Sequence, residues 1–407
     1  MPPPLRGKYL KPTFQEKRGQ VPWGDPPSPQ LPKESRAQTR RNRSVLERRL
    51  LANFDWRLLA LVIVTAAIGV VLVFSATHKT AQPYLYLTQL LWVGIGLGFL
   101  LLILFFDYHF LAQISKYIYG ISLLMLIYPL LFGSEVSGAR RWIRWGGFSL
   151  QPSEVAKIAT LLLLAYYYAE MERVVLRFRD VVIPGLIAAL PAVLVALQPD
   201  LGSALTFVAI YLGVSFVAGA RFRAIGQLIL ILLLIAVVSW FTVLKDYQKE
   251  RLTTFLKPRL DPADAGYQVR QLKIAVGSGG IWGKGFLHGS QSQLEFVPAQ
   301  HTDFIFSLLA EEEGFVGTVL MLGLYLGILL RMLKSAKVAR DPLGVFITGG
   351  FLSLFLFQLS TNICMTVGLM PTSGLPIPLL SYGGSYMIAT LAGVGLVLNV
   401  RMRRMVN

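Results

Sequence analysis

About ten stretches of this 407-residue chain are apolar for long enough to cross a bilayer, at about 58–76, 84–106, 114–132, 152–169, 181–197, 201–219, 224–244, 304–331, 344–366 and 385–400. Each approaches the roughly 20 residues that a helix needs to span the hydrocarbon core. We therefore expect an all-α integral membrane protein of about ten transmembrane helices. With 54% hydrophobic and only 15% charged residues the composition does not suit a soluble globular domain.

A formal net charge of +17 raises the question of nucleic acid. The cations instead occupy a terminal tail and short loops between apolar runs, the pattern of a membrane protein with its basic loops inside. Residues 1–43 are rich in proline and base and read as a disordered cytoplasmic tail. Over 44–57, Ser44 and Glu47 have capping-box spacing, and Leu46, Leu50 and Phe54 recur beside Arg48, Arg49 and Arg57, which predicts an interfacial amphipathic helix. The polytopic domain then covers 58–404.

With the tail inside, Arg221/Arg223, Arg331/Lys334/Lys337/Arg340 and Arg401/Arg403/Arg404 fall on that same side, so both termini are cytoplasmic. The loops at 133–151, 198–200, 245–303 and 367–384 then face outward. The one at 245–303, between helices 7 and 8, is long enough to be a large structured extracytoplasmic element. A single cysteine, Cys364, and four scattered histidines, His78, His109, His288 and His301, give neither a disulfide framework nor a thiolate or HExxH metal cage.

Sorted by side, Arg140, Arg141, Arg144, Glu154, Lys157, Asp200, Lys284, His301, Asp303 and the glycines before Ser385 all map to outer loops or outer helix ends. Ionisable groups at membrane depth cost about 2.5–3.5 kcal/mol each, so their gathering at one surface marks a site. The arginines of Arg140-Arg141-Trp142-Ile143-Arg144-Trp145 suit an anionic ligand, or headgroup anchoring. In Gln151-Pro152-Ser153-Glu154, proline at the first helical position puts Glu154 at the third, with Lys157 one turn on as an ion-pair partner or a pyrophosphate contact.

Thr302 reads as the cap of the eighth helix, with Asp303 beside it. Glu311, Glu312 and Glu313 lie deeper in that run, costly unless paired or facing a cavity. The run Gly277–Gly285 has neither the first glycine nor the hydroxyl of a phosphate loop, so it is a turn-rich loop and no nucleotide site is expected. Prolines and glycines from Pro371 to Gly384 suggest a rigid re-entrant segment lining a cavity.

The segment from Asn362 through Gly368-Leu369-Met370-Pro371, Gly374-Leu375-Pro376-Ile377-Pro378 and Ser381-Tyr382-Gly383-Gly384-Ser385 resembles the signature of the SEDS family (shape, elongation, division and sporulation proteins). Gly138-Ala139-x-Arg141-Trp142 with Gln151-Pro152-Ser153-Glu154-x-x-Lys157, then Gln198-Pro199-Asp200-Leu201-Gly202, and His301-Thr302-Asp303-Phe304 with Glu311-Glu312 and Gly314 agree, over about residues 52–404. Gln291-Ser292-Gln293-Leu294 and Gly368-Leu369-Met370-Pro371 resemble the elongation branch rather than the division branch. Arg144, Glu313 and Tyr386 depart from the family pattern.

The resemblance implies a peptidoglycan glycosyltransferase of the bacterial cytoplasmic membrane, polymerising lipid II on the outer face during elongation and shape maintenance. It also implies work with a single-span class B penicillin-binding protein and the elongation machinery. It carries the essential acid onto Asp303, as general base or as ligand of a divalent ion such as Mg or Mn. The binding arginine falls on Arg141 and the acid–lysine pair on Glu154 and Lys157. Gln198, Asp200, Lys284, His301, Thr302, Ser381, Gly383, Gly384 and Ser385 complete the expected substrate surface. A lipid II flippase is the competing expectation; it requires charges along a transbilayer path and an internal repeat, whereas here the charges gather at one end.

Overall fold

Each of the ten apolar runs coincides with a helix. The computed structural model describes residues 52–80, 82–133, 140–145, 148–171, 175–242, 249, 253, 265–293 and 299–404, all within one compact unit, Arg49–Asn407. The expected tail and residues 44–51 of the expected interfacial helix lie outside the described residues, and the last two residues of that stretch, Trp56 and Arg57, already belong to the first long helix. In chain order the elements are α1 (Trp56–Thr77), α2 (Leu85–Phe105), α3 (Tyr108–Gln113), α4 (Ser115–Phe132), β1 (Ile143–Trp145), β2 (Phe148–Leu150), α5 (Pro152–Glu170), α6 (Phe178–Leu197) and α7 (Leu201–Val217). They continue with α8 (Phe222–Thr242), α9 (Ala265–Ser278), α10 (Ser290–Gln293), α11 (Ile305–Lys337), α12 (Pro342–Thr366) and α13 (Gly384–Met402).

Seven of the described helices, α1, α2, α4, α6, α11, α12 and α13, are long and apolar enough to cross a membrane. Helix α5 falls short because Glu154, Lys157 and three tyrosines make it polar, and α7 because it has 17 residues. The fold is otherwise the all-helical membrane bundle expected, with one addition that the sequence did not announce: β1 and β2 pair antiparallel, Ile143 opposite Leu150 and Arg144 opposite Ser149. The described part of the 245–303 loop is structured, holding α9 and α10.

Helices α5, α12 and α13 are mostly enclosed, whereas α2, α4, α6 and α8 turn Leu101, Leu124, Leu186 and Leu234 outward. Such an inverted surface suits lipid, which is as apolar as leucine. Helices α1 and α11 run antiparallel, because Ser75 near the end of α1 holds Glu312 while Asp55 at its start holds Arg331. They define two ends of the bundle, one at Asp55 and one at Asp303.

At the Asp55 end, charges meet charges. The buried Asp55 carboxylate caps α1 by accepting from Leu58 N–H at 3.1 Å and takes Arg331 at 2.6 Å and Arg401 at 2.9 Å. Arg404 donates to Asn53 Oδ1 at 2.9 Å, and Arg403 reaches Asp107 at 3.4 Å. His109 bridges two acids, 2.8 Å from Asp107 and 2.6 Å from Asp341. Basic residues read as topology markers therefore also clamp α1, α11 and α13 together, and His109 ties α3 to Asp341 at the start of α12.

At the opposite end α11 is broken. Gly314 takes φ 65° and ψ −159°, so Phe315 and Val316 cannot donate to the Glu311 and Glu312 carbonyls as a continuous helix would require. The glycine-rich loop supplies all four missing partners: Lys284 N–H donates to the Glu311 carbonyl at 3.0 Å and Gly285 N–H to that of Glu312 at 2.9 Å. In return Phe315 N–H donates to the Gly280 carbonyl at 2.9 Å and Val316 N–H to that of Ile281 at 3.1 Å. A Cβ at Gly279 or Gly283 would run into the Ala310 or Glu312 carbonyl. The loop is thus a turn, as expected, and its glycines serve close approach to a helix.

Candidate active site

The site is organised by a coil. Between α12 and α13, Leu375, Ile377, Leu379, Leu380 and Ser381 are buried although none is helical. Irregular backbone at membrane depth survives only where the protein itself satisfies it. Four helices each send one side chain to do so. Asn362 of α12 donates to the Leu375 carbonyl at 2.7 Å, Tyr386 of α13 to that of Pro376 at 2.9 Å, Tyr325 of α11 to that of Pro378, and Gln89 of α2 to that of Ser381 at 3.0 Å. The Ser381 hydroxyl accepts from Ile377 N–H at 2.9 Å, and Gly383 N–H donates to Gln89 at 3.3 Å.

Asp303 stands against this coil. The second amide N–H of Asn362 donates to the Asp303 carbonyl at 2.7 Å, so one side chain ties Asp303 to Leu375. Gly374, with φ of +68°, faces the carboxylate so closely that a Cβ there would lie 3.6 Å from its Oδ2. The structure corrects the cap: α11 begins at Ile305 with Phe304 in the cap position. Thr302 sits in the preceding turn and its hydroxyl donates to the Ala299 carbonyl at 3.1 Å, because that turn delays the helix past the threonine. His301 lies in the same turn; its carbonyl accepts from Tyr382 N–H at 2.9 Å and its ring packs edge-on against Tyr382. Burial holds the His301 imidazole below its ordinary value and pushes the Tyr382 phenol up, so both are neutral at pH 7.

On the other side of the coil, Gly202 abuts the Ser373 carbonyl, which brings in the start of α7. Asp200 caps that helix by accepting from Ser203 N–H at 3.0 Å. Its other oxygen accepts from the Ser203 hydroxyl at 2.9 Å and Gln151 at 3.3 Å and pairs with Arg141 at 3.4 Å. Arg141 keeps a third of its side chain exposed. Ser385 joins the hairpin to α13, accepting from Gln151 N–H at 3.0 Å and donating to the Ser149 carbonyl at 3.1 Å.

Glu154 is the third residue of α5, as its sequence predicts, and Lys157 Nζ lies 2.6 Å from its Oε1 with both side chains almost wholly buried. The ammonium also faces the Tyr386 ring at 5.7 Å. Asn362 thus links Asp303 to the coil, Gly202 links the coil to Asp200 and its partner Arg141, Gln151 links Asp200 to Ser385, and Tyr386 leads on to Lys157 and Glu154, with Ser381 and Gly383 in the coil, Gly384 at its end and His301 against it. Two expected residues point elsewhere. Gln198 donates to the Leu126 carbonyl of α4 at 2.7 Å, and Lys284 pairs with Glu311 at 2.7 Å. Glu311 and Glu312 are fully buried and both are held, Glu312 by the Ser75 hydroxyl at 2.6 Å.

Gln89 and Tyr325 were not anticipated. A lone glutamine inside the apolar α2 was the available signal, since an amide in lipid needs a partner; Tyr325 gave none.

The sequence of residues 55–405 matches the FtsW/RodA/SpoVE model, described as "Cell cycle protein". The chain belongs to that family. It is 34% identical to the peptidoglycan glycosyltransferase RodA of Treponema pallidum, over 87% of this chain and 99% of that one. It is 40% identical to the peptidoglycan glycosyltransferase MrdB of Escherichia coli K12, over 71% and 78%. Among solved structures, a chain of a peptidoglycan synthase complex that coordinates polymerization and crosslinking superposes with a TM-score of 0.75 at 36% identity, over 87% of this chain and 99% of that one. The rod shape determining protein RodA of Thermus thermophilus does so with a TM-score of 0.66 at 33% identity, over 87% and 98%. The family and the multi-pass helical fold read from the sequence are therefore correct.

Proposed function

We propose that this chain is a peptidoglycan glycosyltransferase that polymerises lipid II. The observation that carries the reading is the convergence of Asp303 and the Asp200–Arg141 pair on the two sides of residues 373–375. Glycan transfer needs an acceptor for a hydroxyl proton and a cation for a departing pyrophosphate, held a fixed distance apart. Asp303 takes the proton from the 4-hydroxyl of one lipid-linked disaccharide as that oxygen bonds to the anomeric carbon of another. The anomeric carbon–oxygen bond to undecaprenyl pyrophosphate breaks, and the electron pair leaves with the phosphate, whose charge Arg141 meets. Lys157, sealed against Glu154 and Tyr386, acts from inside by fixing the start of α5.

Among the described residues no group of three or more His, Cys, Asp or Glu side chains is placed to hold an ion, so a divalent ion at Asp303 would take its remaining ligands from the substrate's phosphates and water. The membrane orientation follows from the basic Asp55 end, which the positive-inside rule puts in the cytoplasm with both termini, leaving Asp303 outward. The likeness to a chain of a complex that coordinates polymerization and crosslinking supports a crosslinking partner of the class B penicillin-binding type, and the likeness to a rod shape determining protein supports a place in cell elongation.

The test uses purified full-length protein, labelled lipid II and a cognate transpeptidase partner. Glycan polymer from the wild type and none from Asp303→Ala supports the reading. Translocation of lipid II without polymer overturns it in favour of transport, and loss of polymerisation on chelation, restored by divalent metal, overturns proton transfer as the role of Asp303 in favour of ion coordination.

A further inference from the structure

The break at Gly314 has a mechanical meaning. Residues 305–313, which follow directly on Asp303, do not inherit their position from the rest of α11, because the backbone ladder is cut between them and Phe315. Besides apolar packing, polar attachments among the described residues hold them, three of which reach across the chain. Asn362 fixes the Asp303 carbonyl, Ser75 grips the Glu312 carboxylate with contacts of 2.6 and 2.7 Å, and the glycine-rich loop makes the splice described above. Only the loop comes from outside the long helices.

The loop attachment also carries charge. Glu311 Oε1 is fully buried and receives Lys284 Nζ at 2.7 Å and Gln291 N–H at 2.8 Å, while Lys284 also donates to the Ser290 hydroxyl at 2.7 Å. A buried carboxylate deprived of its cation must take up a proton or draw in water, and either outcome shifts the backbone that bears it. Here that backbone is the carbonyl row to which Lys284 and Gly285 donate.

We propose that Lys284 and Glu311 are positioning residues: by locking the loop onto the cut end of the helix they set where Asp303 stands, and so act on turnover rather than on lipid binding. This rests on the assignment of Asp303 above. It also removes Lys284 from the substrate surface and gives it a partner inside the protein.

The test measures polymerisation against lipid II concentration for full-length protein, with rates normalised to folded, monodisperse material. Wild-type polymerisation in the same assay keeps the functional reading separate: without it, the assignment of the reaction fails, not this inference. Lys284→Met and Glu311→Gln should each lower kcat by about tenfold or more while KM stays within about twofold. Because the two act as one unit, the double variant should be no worse than either single. Lys284→Arg, which keeps the charge, should recover kcat to within about threefold of wild type. If Lys284→Met does not fold, Lys284→Gln carries the same expectation. A raised KM for the Lys284 variants with Glu311→Gln silent would show that Lys284 meets the pyrophosphate and would overturn the proposal. Additive losses in the double variant, or losses that vanish on normalisation to folded protein, would overturn it as well.

Discussion

The two ends of the bundle spend polar residues differently. At the Asp55 end carboxylates and guanidiniums meet directly, so each buried charge is neutralised by another side chain on a different helix. At the Asp303 end most buried polar side chains are neutral, and they serve main-chain carbonyls of a coil: Asn362, Tyr386, Tyr325 and Gln89. An ion pair fixes two helices to each other, as Asp55 does for α1 with α11 and α13. A neutral donor aimed at a carbonyl fixes an irregular backbone without drawing on nearby charge, so the wall beside Asp303 and Arg141 is held by neither of them. The first end is built for cohesion and the second for a fixed cavity wall.

Substitutions can break that contrast. The largest effect expected is from Asp303→Ala, which should reduce glycan polymerisation to background while the melting temperature in detergent stays near that of wild type; a retained rate would end the catalytic assignment. Asp55→Ala should do the reverse. Removing the acid strands Arg331 and Arg401, a loss of about 3–5 kcal/mol for a broken buried pair, while the activity per folded molecule is kept. A fall in specific activity beyond the folded fraction would show that the two ends are coupled.

Gln89→Leu tests the coil. It strands the Ser381 carbonyl and Gly383 N–H, costing about 1–3 kcal/mol for each unsatisfied group, and should lower both stability and turnover because the wall beside the site loosens. His109→Gln sharpens the comparison from the other side. His109 and Asp107 are each nearly half exposed, so despite short contacts the change should cost no more than about 1 kcal/mol by thermal melting.

The smallest effect is one of pH. Since burial lowers the His301 imidazole from its ordinary value, the unfolded chain binds that proton more readily than the folded one. Stability therefore falls as pH drops below about 6.5 and is indifferent to this group above it. The difference in melting temperature between pH 5.5 and 7.5 should shrink in His301→Gln, and an unchanged difference would remove His301 as its source.

What the sequence made legible was whatever has a period or a local rule. Apolar length located every long helix, and proline at the first turn placed Glu154 correctly. Motif spacing brought Asp303, Arg141 and Asp200 to one neighbourhood. What it hid depends on contacts across the chain. Nothing local says that Lys284 belongs to Glu311 rather than to a ligand, since both uses need the same exposed-looking lysine in a glycine loop. Gln198 sits in a motif yet turns to Leu126, and Thr302 satisfies every rule for a cap except that the helix starts later. The break at Gly314 is likewise unannounced, since Gly317, Gly323 and Gly327 lie in the same helix without breaking it.

The coil before α13 has a consequence for biogenesis. A ribosome delivers α13 after α1 to α12, and until it arrives the Pro376 carbonyl lacks Tyr386 and the hairpin lacks Ser385. The proline-rich stretch cannot settle at depth earlier, because a bare carbonyl in hydrocarbon costs several kcal/mol. The arrival of α13 thus completes this wall, and a nascent chain that stalls before it displays unfinished polar backbone to the cell's membrane surveillance instead of a half-built enzyme.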